Sequence, residues 1–461
     1  MPNSHARNFV RRAALPVGCE AAFRYHERPG AIQRMIPPWE SVRVERHDGI
    51  QDGDRAELVN YLGPLPMKWV VEHRDYVPGR QFRDVQLSGP FAHWNHLHRF
   101  EPLDANTCFL EDNIEYALPA GGWGAALGGS TVENKLNQMF LYRHQRVVAD
   151  LNAHAKYKDR GTMKIAITGA SGLVGSDLCA FLSTGGHEVK RLVRGEVKQP
   201  EQEIHWKPSQ GVLRAEDLEG LDAVIHLGGE SIAEGRWNDA KKQRIRDSRV
   251  DSTRLLAEAL AQLENPPRTF ICASAIGFYG DRGDEVLTEE SAAGEGFLPE
   301  VCQQWEAACD AARDKSVRVV HARFGMILSP QGGALAKMLT PFKLGGGGVI
   351  GGGKQYWSWV SLDDVVQAIH HALMNDRVAG PINVTAPQPV TNTEFTKTLG
   401  RVLGRPTILP MPAFAARLAL GEMADALILC SARVLPTALE QAGYEFVDPE
   451  LEPALRKLLG R

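Results

Sequence analysis

The chain has 461 residues, 43% of them hydrophobic, with a formal net charge of −4 and a sequence pI near 6.4. At roughly 100–200 residues per domain the length implies two or three domains, and the near-neutral balance gives no reason to expect nucleic acid or a strongly anionic partner. No apolar run is long enough to span a membrane. The N-terminus MPNSHARNFVRR lacks a signal-peptide core, and the seven scattered cysteines form no C-x-x-C pair. A cytosolic chain with free thiols is expected.

The first part reads as strands. A helical segment, GCEAAFRYHE, precedes VRVERHDGI, RAELVNYLG, KWVVEHRDYVPG, RQFRDVQLSG, HWNHLHRFEP and NTCFLEDNIEYALP, which Gly, Pro and Asp turns separate. A long helix, STVENKLNQMFLYRHQRVVADLNAHAK, follows, with Leu136, Met139, Phe140, Arg143, Val147 and Leu151 near helical spacing. The pattern predicts an α+β domain over 1–158 whose last helix covers one sheet face. Nine of the fifteen histidines lie before residue 160. In HWNHLHRF, alternation puts Trp94, His96, His98 and Phe100 on one face. Two histidines at i, i+2 could bind a metal, but no Cys or carboxylate partner is evident and zinc needs at least three protein ligands. The face is read as a cavity wall, and no metal is expected.

A short polar break, KYKDRGTMK, leads to a different pattern. MKIAITG, EVKRLVR, DAVIHLGG, RTFICASA and RVVHARFG are apolar runs of strand length with helical stretches between them. They predict a parallel, doubly wound α/β sheet of Rossmann type over 163–405, covered on both faces. A small helix-rich cap over 406–461 is expected from FAARLALGEMADALILCS, VLPTALEQAGYEF and ELEPALRKLLG.

KIAITGASGLVGSDLCAFLSTGG carries Gly169-x-x-Gly172-x-x-Gly175 between a predicted strand and a predicted helix, the context a dinucleotide fingerprint requires. Gly169 permits the tight turn, Gly172 the approach of a pyrophosphate, and Gly175 close packing of helix on strand. Ser171, Leu173 and Val174 complete the loop and helix start, whose free N–H groups favour phosphate. The next strand ends at Arg194, where an acidic residue would accept from the ribose in an NAD protein. Arg194, helped by Arg191, instead suits the 2′-phosphate of NADP (NADPH). Leu227, Gly228 and Gly229 end the fourth strand and are small enough for a dinucleotide to pass over.

These residues carry a resemblance. With TGASGLVG, HLGGESIAEGRW, SAIGFYGDRGDEVLTEES, ARFGMILSPQGGAL, YWSWVSLDDVV and GPINVTAPQPVTNTEF, residues 163–461 resemble the atypical short-chain dehydrogenase/reductases called epimerase-family proteins, which are related to NAD-dependent epimerase/dehydratases. The tail resembles the C-terminal helical domain of that family. Residues 1–155 resemble the START/Bet v 1-like (polyketide cyclase/dehydrase) superfamily, on PGAIQRMIPPWE, GPFAHWNHLHRFEP and the long last helix. That second likeness implies a helix-grip domain holding a hydrophobic ligand.

Extended dehydrogenases use a Tyr-x-x-x-Lys pair. In GFLPEVCQQWE the two positions are Phe297 and Val301, and the resembled family shares the substitution. An acid must then come from elsewhere. Tyr279, near a strand's C-terminal end, is the candidate acid, with Ser274 orienting. Glu230, Arg236 and Trp237 in GGESIAEGRW, and Arg323 in ARFG, are candidates for holding substrate. Arg249 stands where extended dehydrogenases have Asn. Asp363 and Asp364 read as a helix cap. The expected function is NADP-dependent oxidoreductase or epimerase chemistry on a small carbonyl or sugar-like substrate. A non-catalytic NADP-dependent sensor or scaffold is the alternative.

Overall fold

The computed structural model describes residues 6–62, 65–119 and 121–461. They form two compact units. The first ends at Gly161 and the second begins at Thr162, with Ala180–Gly186 and Gly460 grouping with the first.

The first unit is one antiparallel sheet with three helices. Its elements are β1 (Arg7–Leu15), α1 (Cys19–Glu27), α2 (Ala31–Met35), β2 (Val42–His47), β3 (Arg55–Leu62), β4 (Leu65–Val77), β5 (Gln81–Ser88), β6 (His93–Pro102), β7 (Cys108–Ala117) and α3 (Gly121–Ala155). The strand order is β1-β7-β6-β5-β4-β3-β2. The six segments read as strands form β2 to β7. β1 is additional: it pairs along its whole length with β7, from Arg7↔Tyr116 to Leu15↔Cys108. Its paired arginines break the apolar alternation, so nothing local marks it as a strand.

Trp94, His96, His98 and Phe100 share a face of β6 and are all buried. Two apolar clusters pack there. Phe9, Trp94, Ile114 and Tyr116 meet Leu136 and Phe140 of α3. Phe23, Phe82, Phe100 and Leu110 meet Val147 and Leu151. His144 stands in the same helical stripe and is buried with them. Burial pushes the pKa of His96 down to about 4. It pushes His98 the same way, but Asp84 and Asp112 outweigh it and raise that pKa to about 9.

In the second unit, β8 (Lys164–Thr168), α4 (Leu173–Thr184), β9 (Glu188–Val193), β10 (Glu203–Lys207), β11 (Val212–Leu213), β12 (Ala223–His226), α5 (Asp239–Gln262), β13 (Thr269–Ala275), α6 (Phe297–Ala307), β14 (Arg318–Phe324), α7 (Leu362–Met374) and β15 (Gly380–Val384) build a doubly wound sheet. Its order is β11-β10-β9-β8-β12-β13-β14-β15, parallel except for the β10–β11 hairpin. β12 is buried at every residue, as a strand with helices on both faces must be. The order reverses between β8 and β12, and ligands of open α/β sheets bind beyond the strand ends at that point.

The tail holds helices over Ala413–Leu420, Thr437–Gln441 and Leu451–Leu459. Within the helix-rich stretch FAARLALGEMADALILCS the first helix ends at Leu420, where Gly421 takes φ +64°. The cap of α7 is Ser361, whose side chain accepts from the Asp364 amide. Asp364 itself serves the tail. Its carboxylate accepts from the Tyr444 hydroxyl at 2.9 Å and from the amides of Val447 and Asp448 at 2.8 and 2.9 Å. These bonds order the tail against α7. No helix among the described residues is long and apolar enough to cross a membrane.

One buried charge cluster pins the first unit. Arg34 binds both oxygens of Asp150, at 2.8 and 2.6 Å, and the Tyr25 hydroxyl donates to Asp150 at 2.8 Å. Arg34 and Asp150 are fully buried. Removing one partner strands a buried charge, so Asp150→Ala is expected to destabilise this unit by about 3–5 kcal/mol in urea unfolding.

Candidate functional site

The turn from β8 to α4 is built around three glycines. Gly169 sits at φ +67°, and a Cβ there would lie 2.9 Å from the Leu227 carbonyl of the neighbouring strand end. The Gly172 amide closes the turn on the Gly169 carbonyl at 2.9 Å. A Cβ on Gly175 would stand 2.2 Å from the same Gly169 oxygen, so only glycine lets α4 come this close. Ser171 and Gly172 are exposed at the turn's crest, with Leu173 and Val174 beginning the helix behind them. Bare backbone at a helix N-terminus is the arrangement a pyrophosphate fits.

Thr168 locks this turn to β12. Its hydroxyl accepts from the amides of Leu227 and Gly228, each at 3.1 Å, and meets His226 Nδ1 at 2.6 Å. His226 Nε2 reaches the Ser252 hydroxyl at 3.0 Å, which in turn donates to the Ser248 carbonyl at 2.6 Å. The chain of donors needs a neutral His226, and burial first, then Arg249, lowers its pKa to about 3.

The remaining candidates fall in three places. Arg194 lies just past β9 and is exposed. Arg191, expected to help it, is instead paired with Glu203 of β10 at 3.0 Å. In the loop after β12, Gly229 lies beside Arg249, whose Cζ would be 3.3 Å from a Cβ at that glycine. Glu230 is bound by Lys241 at 2.7 Å. Arg236 turns away to the carbonyls of Leu418 and Ala419 in the tail. Trp237 bonds the Ile232 carbonyl at 2.8 Å and packs against Phe297, ring centroids 5.4 Å apart. An indole therefore meets, edge to face, the ring that occupies the usual acid's position.

Ser274, Arg323 and Asn383 form one rung across β13, β14 and β15. Glu306 of α6 closes it. Arg323 grips both Glu306 oxygens at 2.8 Å, and Ser274 donates to Glu306 at 2.7 Å. Tyr279 is fully buried; its hydroxyl donates to Asn383 Oδ1 at 2.7 Å and accepts from Arg323 Nη1 at 3.0 Å. Burial raises its pKa, against the pull of Arg323. Tyr279, Ser274 and Arg323 are thus brought together, but into a closed network: each polar group already has a partner inside it. Sequence reasoning missed Glu306, Asn383, Thr168 and His226. Asn383 and His226 carried a signal, being polar residues inside apolar strand runs.

The profile of the NAD dependent epimerase/dehydratase family matches residues 165–385, and a domain of unknown function matches 411–458. An epimerase family protein of Mycobacterium bovis is 45% identical over 291 residues, covering 63% of this chain and 96% of its own length. The chain belongs to the epimerase family. The human epimerase family protein SDR39U1 is 33% identical over 300 residues, 64% of this chain and all of that one. Its crystal structure with NADPH superposes with a TM-score of 0.59 at 31% identity, over 64% of this chain and 99% of the other. A crystal structure named as a nucleoside-diphosphate sugar epimerase, from Corynebacterium glutamicum, covers 98% of this chain and 90% of its own, with TM-score 0.81 and 34% identity. That likeness extends through the first unit as well.

In this family member, Tyr279→Phe leaves Asn383 Oδ1 and an Arg323 N–H without their buried partner. The variant is expected to lose about 1–3 kcal/mol of stability in thermal or urea unfolding. Dinucleotide affinity, read by calorimetry, should stay at the wild-type value.

Proposed function

We propose that the chain binds NADP(H) in the β8–α4 turn and exchanges hydride with a small carbonyl or sugar-like substrate beyond the C-terminal ends of β8, β12 and β13. The observation that carries the cofactor is the glycine cradle, where added Cβ atoms at Gly169 and Gly175 would collide with backbone. The exposed turn at Ser171 and the N–H groups that open α4 at Leu173 and Val174 would take the pyrophosphate. Arg194 would take the 2′-phosphate. NADPH in the human relative's structure supports the same choice, and the name of the Corynebacterium relative supports a sugar-like substrate. When bound, the nicotinamide supplies the hydride; this chain's residues orient it and keep water out. Phe297 and Val301 move no proton.

A sensor or scaffold reading is favoured by the closed Ser274–Glu306–Arg323–Tyr279–Asn383 network and by the edge-to-face packing of Trp237 on Phe297. In that reading NADP(H) binding alters conformation without turnover. For the first unit we propose a START-like, helix-grip role in holding a hydrophobic ligand, supported by its strand order, its long last helix and its two aromatic clusters. All seven cysteines are unpaired, which supports a reducing cytoplasmic location.

Calorimetry should show NADPH bound more tightly than NADH, each bond to the 2′-phosphate contributing about 1.5–3 kcal/mol at best. Arg194→Asp should invert the preference; equal wild-type affinity for both removes the assignment. Screening metabolites against purified protein and NADPH, following the nicotinamide absorbance, separates enzyme from sensor: tight NADPH binding with no turnover selects the sensor.

A further inference from the structure

The histidines of HWNHLHRF lacked a carboxylate partner in the sequence, and strand register supplies two. Asp84 of β5 lies directly opposite His96 of β6, and Asp112 of β7 directly opposite His98. His73 of β4 lies opposite Asp84 on its other side. All of these side chains except Asp84, which is partly buried, are less than a tenth exposed. The cluster sits between the two aromatic clusters of the first unit, and α3 adds His144.

We propose that Asp84, His96 and His98 form a binding site for one divalent transition-metal ion of the zinc class. Three donor atoms converge: Asp84 Oδ2 lies 3.3 Å from His98 Nε2 and 3.7 Å from His96 Nδ1, and all three lie within 4.8 Å of one another. Donors about 2.0–2.2 Å from a tetrahedral ion are roughly 3.3–3.6 Å apart, so a small closure of the three makes the site.

The far side of each imidazole is already arranged for this. His96 Nε2 and His98 Nδ1 both lie 2.8 Å from Asp112 Oδ1. A ligating histidine usually gives its other N–H to a carboxylate, which fixes its tautomer and raises its basicity. Asp112 holds His96 by such a bond and stands close to His98 Nδ1 without hydrogen-bonding it, and the opposite nitrogens of both rings face Asp84. His144 Nε2 holds the second oxygen of Asp112 at 2.5 Å, and His73 Nδ1 lies 2.8 Å from the second oxygen of Asp84. Asp112 thus acts as a positioning residue for His96.

Two more features point to a ligand. His26 Nδ1 is bound to the Ala22 carbonyl at 2.8 Å, while its buried Nε2 has no hydrogen-bond partner among the described residues. Its ring centroid is 6.4 Å from that of His98. His73 Nε2 is likewise buried without a partner among them. Three protein ligands leave a coordination position open to water or an oxygen donor.

The test uses the full chain, free of any affinity tag and stripped with chelator. Titration with Co²⁺ should give the visible bands of a four-coordinate site, saturating at one equivalent per chain, and Zn²⁺ should displace it. Asp84→Asn and His96→Gln should abolish stoichiometric uptake. Asp112→Asn should weaken it about 10–100-fold. Zn²⁺ should raise the wild type's melting temperature and leave that of folded Asp84→Asn unchanged, a readout that holds even if His96→Gln does not fold. Failure of the stripped wild type to take up either ion stoichiometrically overturns the proposal. So does unchanged uptake by Asp84→Asn. Neither result bears on NADPH binding in the second unit.

Discussion

The second unit depends on backbone meeting backbone where β8, α4 and β12 converge. Gly169 and Gly175 remove the side chains that would hold these elements apart, and Thr168 then fastens the turn to β12 through two amides. The cost is a helix start whose first amides have no intrahelical partner, which is the arrangement a phosphate fits.

Around the junction, polar residues are consumed in holding the protein together. Arg323, Glu306, Ser274, Tyr279 and Asn383 sit where a dehydrogenase would do its chemistry, yet they satisfy one another. A buried arginine is tolerable only with its carboxylate fully engaged, and the bidentate Glu306 contact meets that need. Loss of the Tyr-x-x-x-Lys pair at Phe297 and Val301 is therefore accompanied by a neighbourhood rebuilt around apolar packing and closed hydrogen bonding.

The first unit solves a different problem. Its sheet face toward α3 is apolar at both ends and charged in the middle. In such a setting an unpartnered polar group is costly. Asp84 and Asp112 are partnered by imidazoles from two strands and a helix, which makes this cluster more than a set of isolated core histidines.

The sequence by itself determined what local pattern controls. Six strands of the first unit, the alternation that buries Trp94, His96, His98 and Phe100, and the Gly169–Gly175 turn all follow from period and glycine spacing. The strand β1 was not legible, because its arginines hide the alternation and its pairing with β7 spans the whole unit. Tertiary structure alone decided the partners: that Arg323 and Ser274 would meet on Glu306, that Arg191 would turn to Glu203, and that Asp84 and Asp112 would flank His96 and His98. These are contacts between residues far apart in the chain or on different strands. Spacing says which face a side chain occupies; only strand order and register say what stands opposite.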